Sequence, residues 1–149
     1  MGVSDEEAYH IYRQLQVELH LVPLIDRDIP KYLKQLNSLV CVDIVTARTE
    51  GAMESLLREF NNLGISKKNH YKEIVFVPTH PNDSKAQLNY EFYLDDNPNL
   101  VKPILSNENK ILLLFDQPWN KYITCGDRIR RIEKWVDVLP TVKELINSR

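Results

Sequence analysis

The chain predicts an α/β protein, a parallel sheet covered on both faces by helices in three α/β/α layers. Two observations carry this. Four short apolar runs, Leu39–Thr46, Ile74–Val77, Glu91–Leu94 and Lys110–Phe115, read as strands, and segments with helical spacing alternate with them. Of the runs, the first and the last are nearly continuous in apolar residues. That suits strands buried on both faces.

The elements follow in order. Ser4 with Glu7 is a capping box, and Ala8, Ile11, Tyr12 and Leu15 recur at helical spacing, so a first helix is predicted from Asp5 to about Leu19. Asp28 and Pro30 start a second helix that carries Tyr32, Leu33 and Leu36 inward. After the first strand, Met53, Leu56, Leu57 and Phe60 mark a helix that Gly64 stops at C′. Residues Asp83–Leu88 predict a short helix and Glu91–Leu94 a strand that ends in Asp95-Asp96. Pro98 opens another helix, and a last one runs from about Pro140 to Ile146. With 149 residues and no low-complexity linker, the reading is a single domain over 1–149, with a helical cap-like segment at 1–37 and an α/β core at 38–149.

Composition excludes several function classes. At 43% hydrophobic and 27% charged the chain is an ordinary globular protein. A net charge of -2 gives no electrostatic reason to expect a nucleic acid polymer or an anionic membrane as partner. No apolar run approaches the roughly 20 residues of a membrane span, and the acidic N-terminus does not resemble a signal peptide. Cys41 and Cys125 do not suggest a disulfide framework, so a cytoplasmic setting is the expectation. His10, His20, His70 and His80 lack metal-type spacing. No Gly-rich phosphate loop and no Gly-x-Ser-x-Gly occurs. Arg128, Arg130 and Arg131 form a basic cluster that reads as a solvated face rather than a phosphate clamp.

Ligands of open parallel sheets bind outside the carboxyl ends of the strands, which makes the polar residues there the candidates. The first strand ends in Thr46-Ala47-Arg48 and the third in Asp95-Asp96-Asn97, and Lys85 lies shortly before the third. A strand-end hydroxyl can donate to a phosphoryl oxygen, a lysine supplies a mobile charge to the same group, and paired carboxylates suit Mg2+. Each of these alone is more often a turn residue, a solvated lysine or a helix cap.

Their order gives the set its meaning. The run Val42-Asp43-Ile44-Val45-Thr46-Ala47-Arg48 is similar to the second motif of the haloacid dehalogenase-like phosphatases. Lys85 sits where that family keeps the lysine of its third motif, and Tyr93-Leu94-Asp95-Asp96-Asn97-Pro98 looks like its fourth, acidic one. Phe115-Asp116-Gln117-Pro118-Trp119-Asn120, with Arg131 and Trp135 beyond it, resembles the 5′(3′)-deoxyribonucleotidase branch. The resemblance implies that Thr46 and Lys85 hold the transferring phosphoryl group as catalytic and substrate-binding residues, with Arg48 beside them. It further implies that Asp95 and Asp96 bind Mg2+ and that the ligand is a phosphorylated, nucleotide-like small molecule.

One departure accompanies the match. The family's first strand ends in Asp-x-Asp-Gly, which supplies the attacking carboxylate, and nothing ahead of Thr46 reads that way. The sole Asp-x-Asp, Asp26-Arg27-Asp28, precedes Ile29-Pro30 and reads as a loop and helix cap. The expected core therefore lacks the usual first strand. Three readings stay open: a hydrolase whose nucleophile is Asp26 or comes from another polypeptide, a catalytically silent phosphate-binding or regulatory domain, and a remnant with no site. With the central strand missing, direct pairing of Leu39–Val45 with Phe92–Leu94 in one four-stranded sheet is expected, because buried unpaired strand groups cost about 1–3 kcal/mol each. Val17–Val22 is the internal alternative to fill the slot.

Overall fold

The structure is a computed structural model, and it describes residues 2–22, 24–48 and 50–148. The chain is α/β, with parallel strands in two compact units, Met1–Phe76 and Val77–Arg149.

In the first unit, α1 (Asp5–Val17) begins at the expected capping box, with Ser4 and Glu7 bonded reciprocally. Its apolar stripe is not covered. Ile11, Tyr12 and Leu15 remain 47%, 57% and 38% exposed. Residues Leu19–Leu21 form a 3-10 turn, so the segment weighed as an internal filler strand is not extended there. Helix α2 (Ile29–Leu39) has Pro30 in its first turn and buries Leu33 and Leu36, as the spacing predicts. It runs on through Leu39, which corrects the expected strand. β1 occupies only Ile44–Thr46, and its three residues are half-buried. The physical reason is local: Leu33 and Leu36 share one buried helical face, and Val40 N–H still bonds Leu36 O at 2.9 Å. The apolar run therefore divides between a helix end and a short strand. Helix α3 (Met53–Asn62) buries Leu56 and is followed by Gly64 at φ 69°, the left-handed position that glycine adopts without strain. The crossover delivers β2 (Ile74–Phe76) parallel to β1, with Ile44 opposite Ile74 and Thr46 opposite Phe76.

The second unit is built on three parallel strands in the order β3 (Phe92–Asp95), β4 (Ile111–Phe115), β5 (Ile129–Ile132). All five residues of β4 are buried, as its continuous apolar run predicts. Leu112 and Leu114 share one face and join Leu100, Ile104, Tyr93 and Ala86 in a core beneath α4 (Val101–Leu105). Phe115 faces the other way, its ring 6.1 Å from that of Trp135, ahead of α5 (Val138–Asn147) with buried Val138, Val142 and Leu145.

The strand pairings differ from the single four-stranded sheet expected. Among the described residues, β1 pairs with β2 and β3 with β4, in two separate sheets, and the pairing of Leu39–Val45 with Phe92–Leu94 is not one of the ladders. β5 is a strand beyond the four apolar runs that the sequence predicts. No helix of the described residues is long and apolar enough to cross a membrane.

Candidate functional site

The carboxyl end of β3 gathers three of the five predicted site residues. Asp95 is the last residue of the strand, and Asp96 follows it as the chain leaves the sheet. Lys85 arrives from the 3-10 turn Ser84–Gln87, and its Nζ lies 2.6 Å from Asp95 Oδ2. The two side chains are 25% and 11% exposed, so this ion pair is shielded from bulk water. Asp95 Oδ1 accepts from the Asn97 N–H at 3.0 Å, while Asn97 Oδ1 caps the turn at Pro98 by accepting from Asn99 N–H. Both oxygens of Asp95 are thus engaged.

A second lysine positions the first. Lys110 is buried at 9% exposure, and its ammonium donates to Ala86 O at 2.6 Å and Leu88 O at 2.7 Å, with the Tyr93 ring 5.4 Å away. These carbonyls close the turn that carries Lys85. Nothing in the sequence marks Lys110 beyond its place at the start of a strand-like run.

Asn120 ties the neighbouring strand ends together. It is fully buried, donating to Asp96 O at 2.9 Å and Phe115 O at 2.8 Å, and its Oδ1 accepts from Gln117 N–H and from Arg131 Nη1. Arg131 also meets Asp116 Oδ1 at 2.7 Å and donates to Ile123 O. Lys121 first, and Arg131 with it, hold the Asp116 carboxyl below its usual range, against the opposing effect of burial. Arg128 caps the end of α4 by donating to Leu105 O and Asn107 O, and Arg130 reaches Asp127 O. The basic cluster is thus tied to the chain around it, with Arg130 still partly exposed to solvent. Its arginines are spent largely on backbone carbonyls, where each fork satisfies several acceptors at once.

Asp96 is the group in this site whose charge is least compensated. Burial, then the adjacent Asp95 carboxylate, raise its pKa above the ordinary carboxyl value. Where a folded pKa exceeds the unfolded one, the folded chain keeps a proton that the unfolded chain has released. Stability therefore falls as pH rises from the unfolded value near about 3.9 through the folded one, and the penalty is complete above it. Asp96→Asn is expected to be more stable than the parent at neutral pH, with the advantage vanishing toward the acid end of urea titrations. A variant less stable than the parent at neutral pH would contradict this.

The remaining predicted residues lie in the other unit, at the carboxyl end of β1. Thr46 Oγ1 accepts from Arg48 N–H at 3.2 Å. The guanidinium of Arg48 is half-buried, burial lowers its pKa, and its Nη1 is shut from solvent with no hydrogen-bond partner among the described residues. A buried guanidinium nitrogen without an acceptor is suited to an anion. The structure thus groups Lys85 with Asp95 and Asp96, and Thr46 with Arg48. Asp26 spends Oδ1 on Asp28 N–H at 2.8 Å in a turn before α2, the loop role expected of it. A cleft of about 510 Å³ in the first unit, lined by Asn37, Cys41, Lys68 and Lys72 among others, lies at the amino ends of β1 and β2. It is thus at the opposite strand ends from Thr46.

The donor set suits a Mg2+ that keeps water and shares phosphate oxygens rather than one caged by protein alone. Asp96 has a desolvated carboxylate to offer, and Asp95 has one already neutralised by Lys85. Among the described residues no three His, Cys, Asp or Glu side chains converge on one metal position. No family model, curated protein or solved structure matches this chain.

Proposed function

We propose that this chain is a phosphate-recognising domain of the haloacid dehalogenase-like type. It binds a phosphorylated, nucleotide-like small molecule together with Mg2+ and does not hydrolyse it. The observation that supports this reading best is the shielded Lys85–Asp95 pair with the desolvated Asp96 beside it, at the carboxyl end of a parallel strand. Lys85 would meet phosphoryl oxygens, Asp96 with Asp95 would hold Mg2+, and a bound Mg2+ would neutralise phosphate charge. Within the first unit, Thr46 and Arg48 offer a hydroxyl and a guanidinium of their own, and the unpartnered Arg48 nitrogen suits an anion there.

The engagement of Asp95 and Asp26 supports the reading that the chain does not hydrolyse its ligand. Covalent phosphoryl transfer needs a carboxylate free to attack, and Asp95 is tied to Lys85 and to the Asn97 N–H. Asp26 is occupied in its turn. Purified chain is expected to bind inorganic phosphate in a Mg2+-dependent way in calorimetry. Mg2+ alone should bind more weakly than submillimolar, since two carboxylates complete no site by themselves. Asp96→Asn should abolish the Mg2+ dependence. No phosphate should be released from deoxynucleoside monophosphates. Turnover that Asp26→Asn removes would replace this reading with that of an active hydrolase.

A further inference from the structure

The cleft at the amino ends of β1 and β2 has no part in the function proposed above. It lies within the first unit, between the end of α2 and the turn that leads into β2. Its volume of about 510 Å³ falls in the range of small-molecule sites, about 300–1,000 Å³. Asn37 ties its two walls together: Nδ2 donates to Lys68 O at 2.9 Å, and Oδ1 accepts from the Val42 N–H at 3.2 Å. The Lys72 N–H donates to Val42 O at 2.7 Å, so little further ordering is needed when a ligand arrives. Charge in the cleft is one-sided. Lys67, Lys68 and Lys72 line it against a single carboxylate, Glu73, whose partner is Lys67 at 2.7 Å. Among the described residues neither Lys68 nor Lys72 is in an ion pair. Lys68 stands at φ 74°, a left-handed backbone that glycine adopts freely and lysine rarely, so the turn itself gives no reason for a charged side chain there. Leu39, 40% exposed, adds an apolar wall.

We propose that this cleft binds a small organic molecule with two separate acidic groups, of the dicarboxylate class. The ammoniums of Lys68 and Lys72 each meet one acid group, since a lysine acts as a point charge rather than a fork. The carbon chain between the acid groups lies against Leu39. No residue of the proposed phosphate site lines the cleft, so the two readings stand or fall separately. The competing role for these lysines is structural. Helix α2 ends here at Leu39, and cations near the carbonyl end of a helix stabilise it. In that role they would support the helix and hold no ligand.

Cys41 lines the same cleft as a free, exposed thiol, and Cys125, also free and exposed, lies in the second unit. Alkylation by iodoacetamide, read for each cysteine by mass spectrometry, therefore reports on the cleft against an internal control. Succinate and adipate are titrated, with hexanoate and hexyl phosphate beside them, at an ionic strength held constant with sodium chloride. At least one dicarboxylate is expected to slow alkylation of Cys41 at millimolar concentration and to leave Cys125 unchanged. Hexanoate, which forgoes one charge-assisted contact, should need about tenfold more, and hexyl phosphate should do no better than hexanoate. Lys68→Gly removes one charge while suiting the backbone of the turn, so it should fold and bring the dicarboxylate down to the level of hexanoate. Lys72→Gln should do the same. Lys67→Gln should weaken protection less, because that ammonium is already engaged by Glu73. The proposal is overturned if neither dicarboxylate protects Cys41, if both cysteines are protected alike, or if hexyl phosphate protects better than the dicarboxylates. It is also overturned if Lys68→Gly and Lys72→Gln together keep the protection, and a lowered urea midpoint in that double variant would assign the lysines to the end of α2.

Discussion

Replacing Asn120 by alanine is expected to destabilise the protein by about 3–5 kcal/mol. The side chain is fully buried and makes four hydrogen bonds, two as donor to Asp96 O and Phe115 O and two as acceptor from Gln117 N–H and Arg131 Nη1. Alanine removes all four without offering a partner in return. Some groups keep other bonds: Asp96 O retains the Trp119 indole, and Arg131 retains Asp116 and Ile123 O. The Gln117 N–H and the Phe115 carbonyl lose the partner this side chain supplies. Each buried group left unsatisfied costs about 1–3 kcal/mol, and the small cavity adds to that. Asn120→Asp separates the donors from the acceptors, since the carboxylate still accepts from Gln117 and Arg131 but faces two carbonyl oxygens. It should also destabilise, though less where Arg131 compensates the charge. Urea denaturation gives both numbers, and an Asn120→Ala cost below about 1 kcal/mol would mean that the strand ends are not held by this residue.

The sequence showed the parts of the fold whose signal is local and periodic. The capping box at Ser4, the start of α2 at Pro30, the glycine after α3 and the fully buried β4 lie where spacing placed them. It misled where one residue pattern serves two structures. Leu39-Val40-Cys41-Val42 is apolar enough for a strand, yet helix α2 keeps its hydrogen bonds through Val40. β5 shows the converse. Its Ile129-Arg130-Arg131-Ile132 has no strand-like alternation, because Arg131 points its charge at Asp116, Asn120 and Ile123 O rather than at water.

The same distinction applies to the site. Lys85, Asp95 and Asp96 were legible because a strand end and a preceding turn bring sequence neighbours together, and Lys85 does meet Asp95. The groups that hold them in place were not. Lys110 and Asn120 act through backbone carbonyls of distant residues, contacts that exist only once the strands are aligned. A lysine at the start of a strand and an asparagine in a loop carry no local mark of such a role. Residues that bond to side chains or to their own turn can be read from spacing, whereas residues that bond to another segment's backbone cannot.

Lys85→Met is expected to cost about 2–3 kcal/mol, and the way that cost is recovered tests what the ion pair does. The pair is close at 2.6 Å, with 25% and 11% of the two side chains exposed. Removing one member of a fully buried pair costs about 3–5 kcal/mol, mainly because the other charge is left without compensation, and the residual exposure here lowers that figure. Asp95 would be left beside Asp96, a carboxyl whose pKa is already raised by burial and by Asp95 itself, so the orphaned charge has an unfavourable neighbour. If the cost lies in that orphan, removing it must restore stability. The double variant Lys85→Met with Asp95→Asn should then be more stable than Lys85→Met alone, although it lacks the ion pair just as completely. If instead the attraction within the pair were the main contribution, the double variant would be no better than the single one. Asp96→Asn in the Lys85→Met background should also recover part of the loss, by removing the second carboxylate. Denaturant titrations of the single and double variants at neutral pH distinguish these cases. A Lys85→Met cost below about 0.5 kcal/mol would place the pair with screened surface bridges. Lys85 would then be a solvated side chain with no positional tie to the carboxylates at the end of β3.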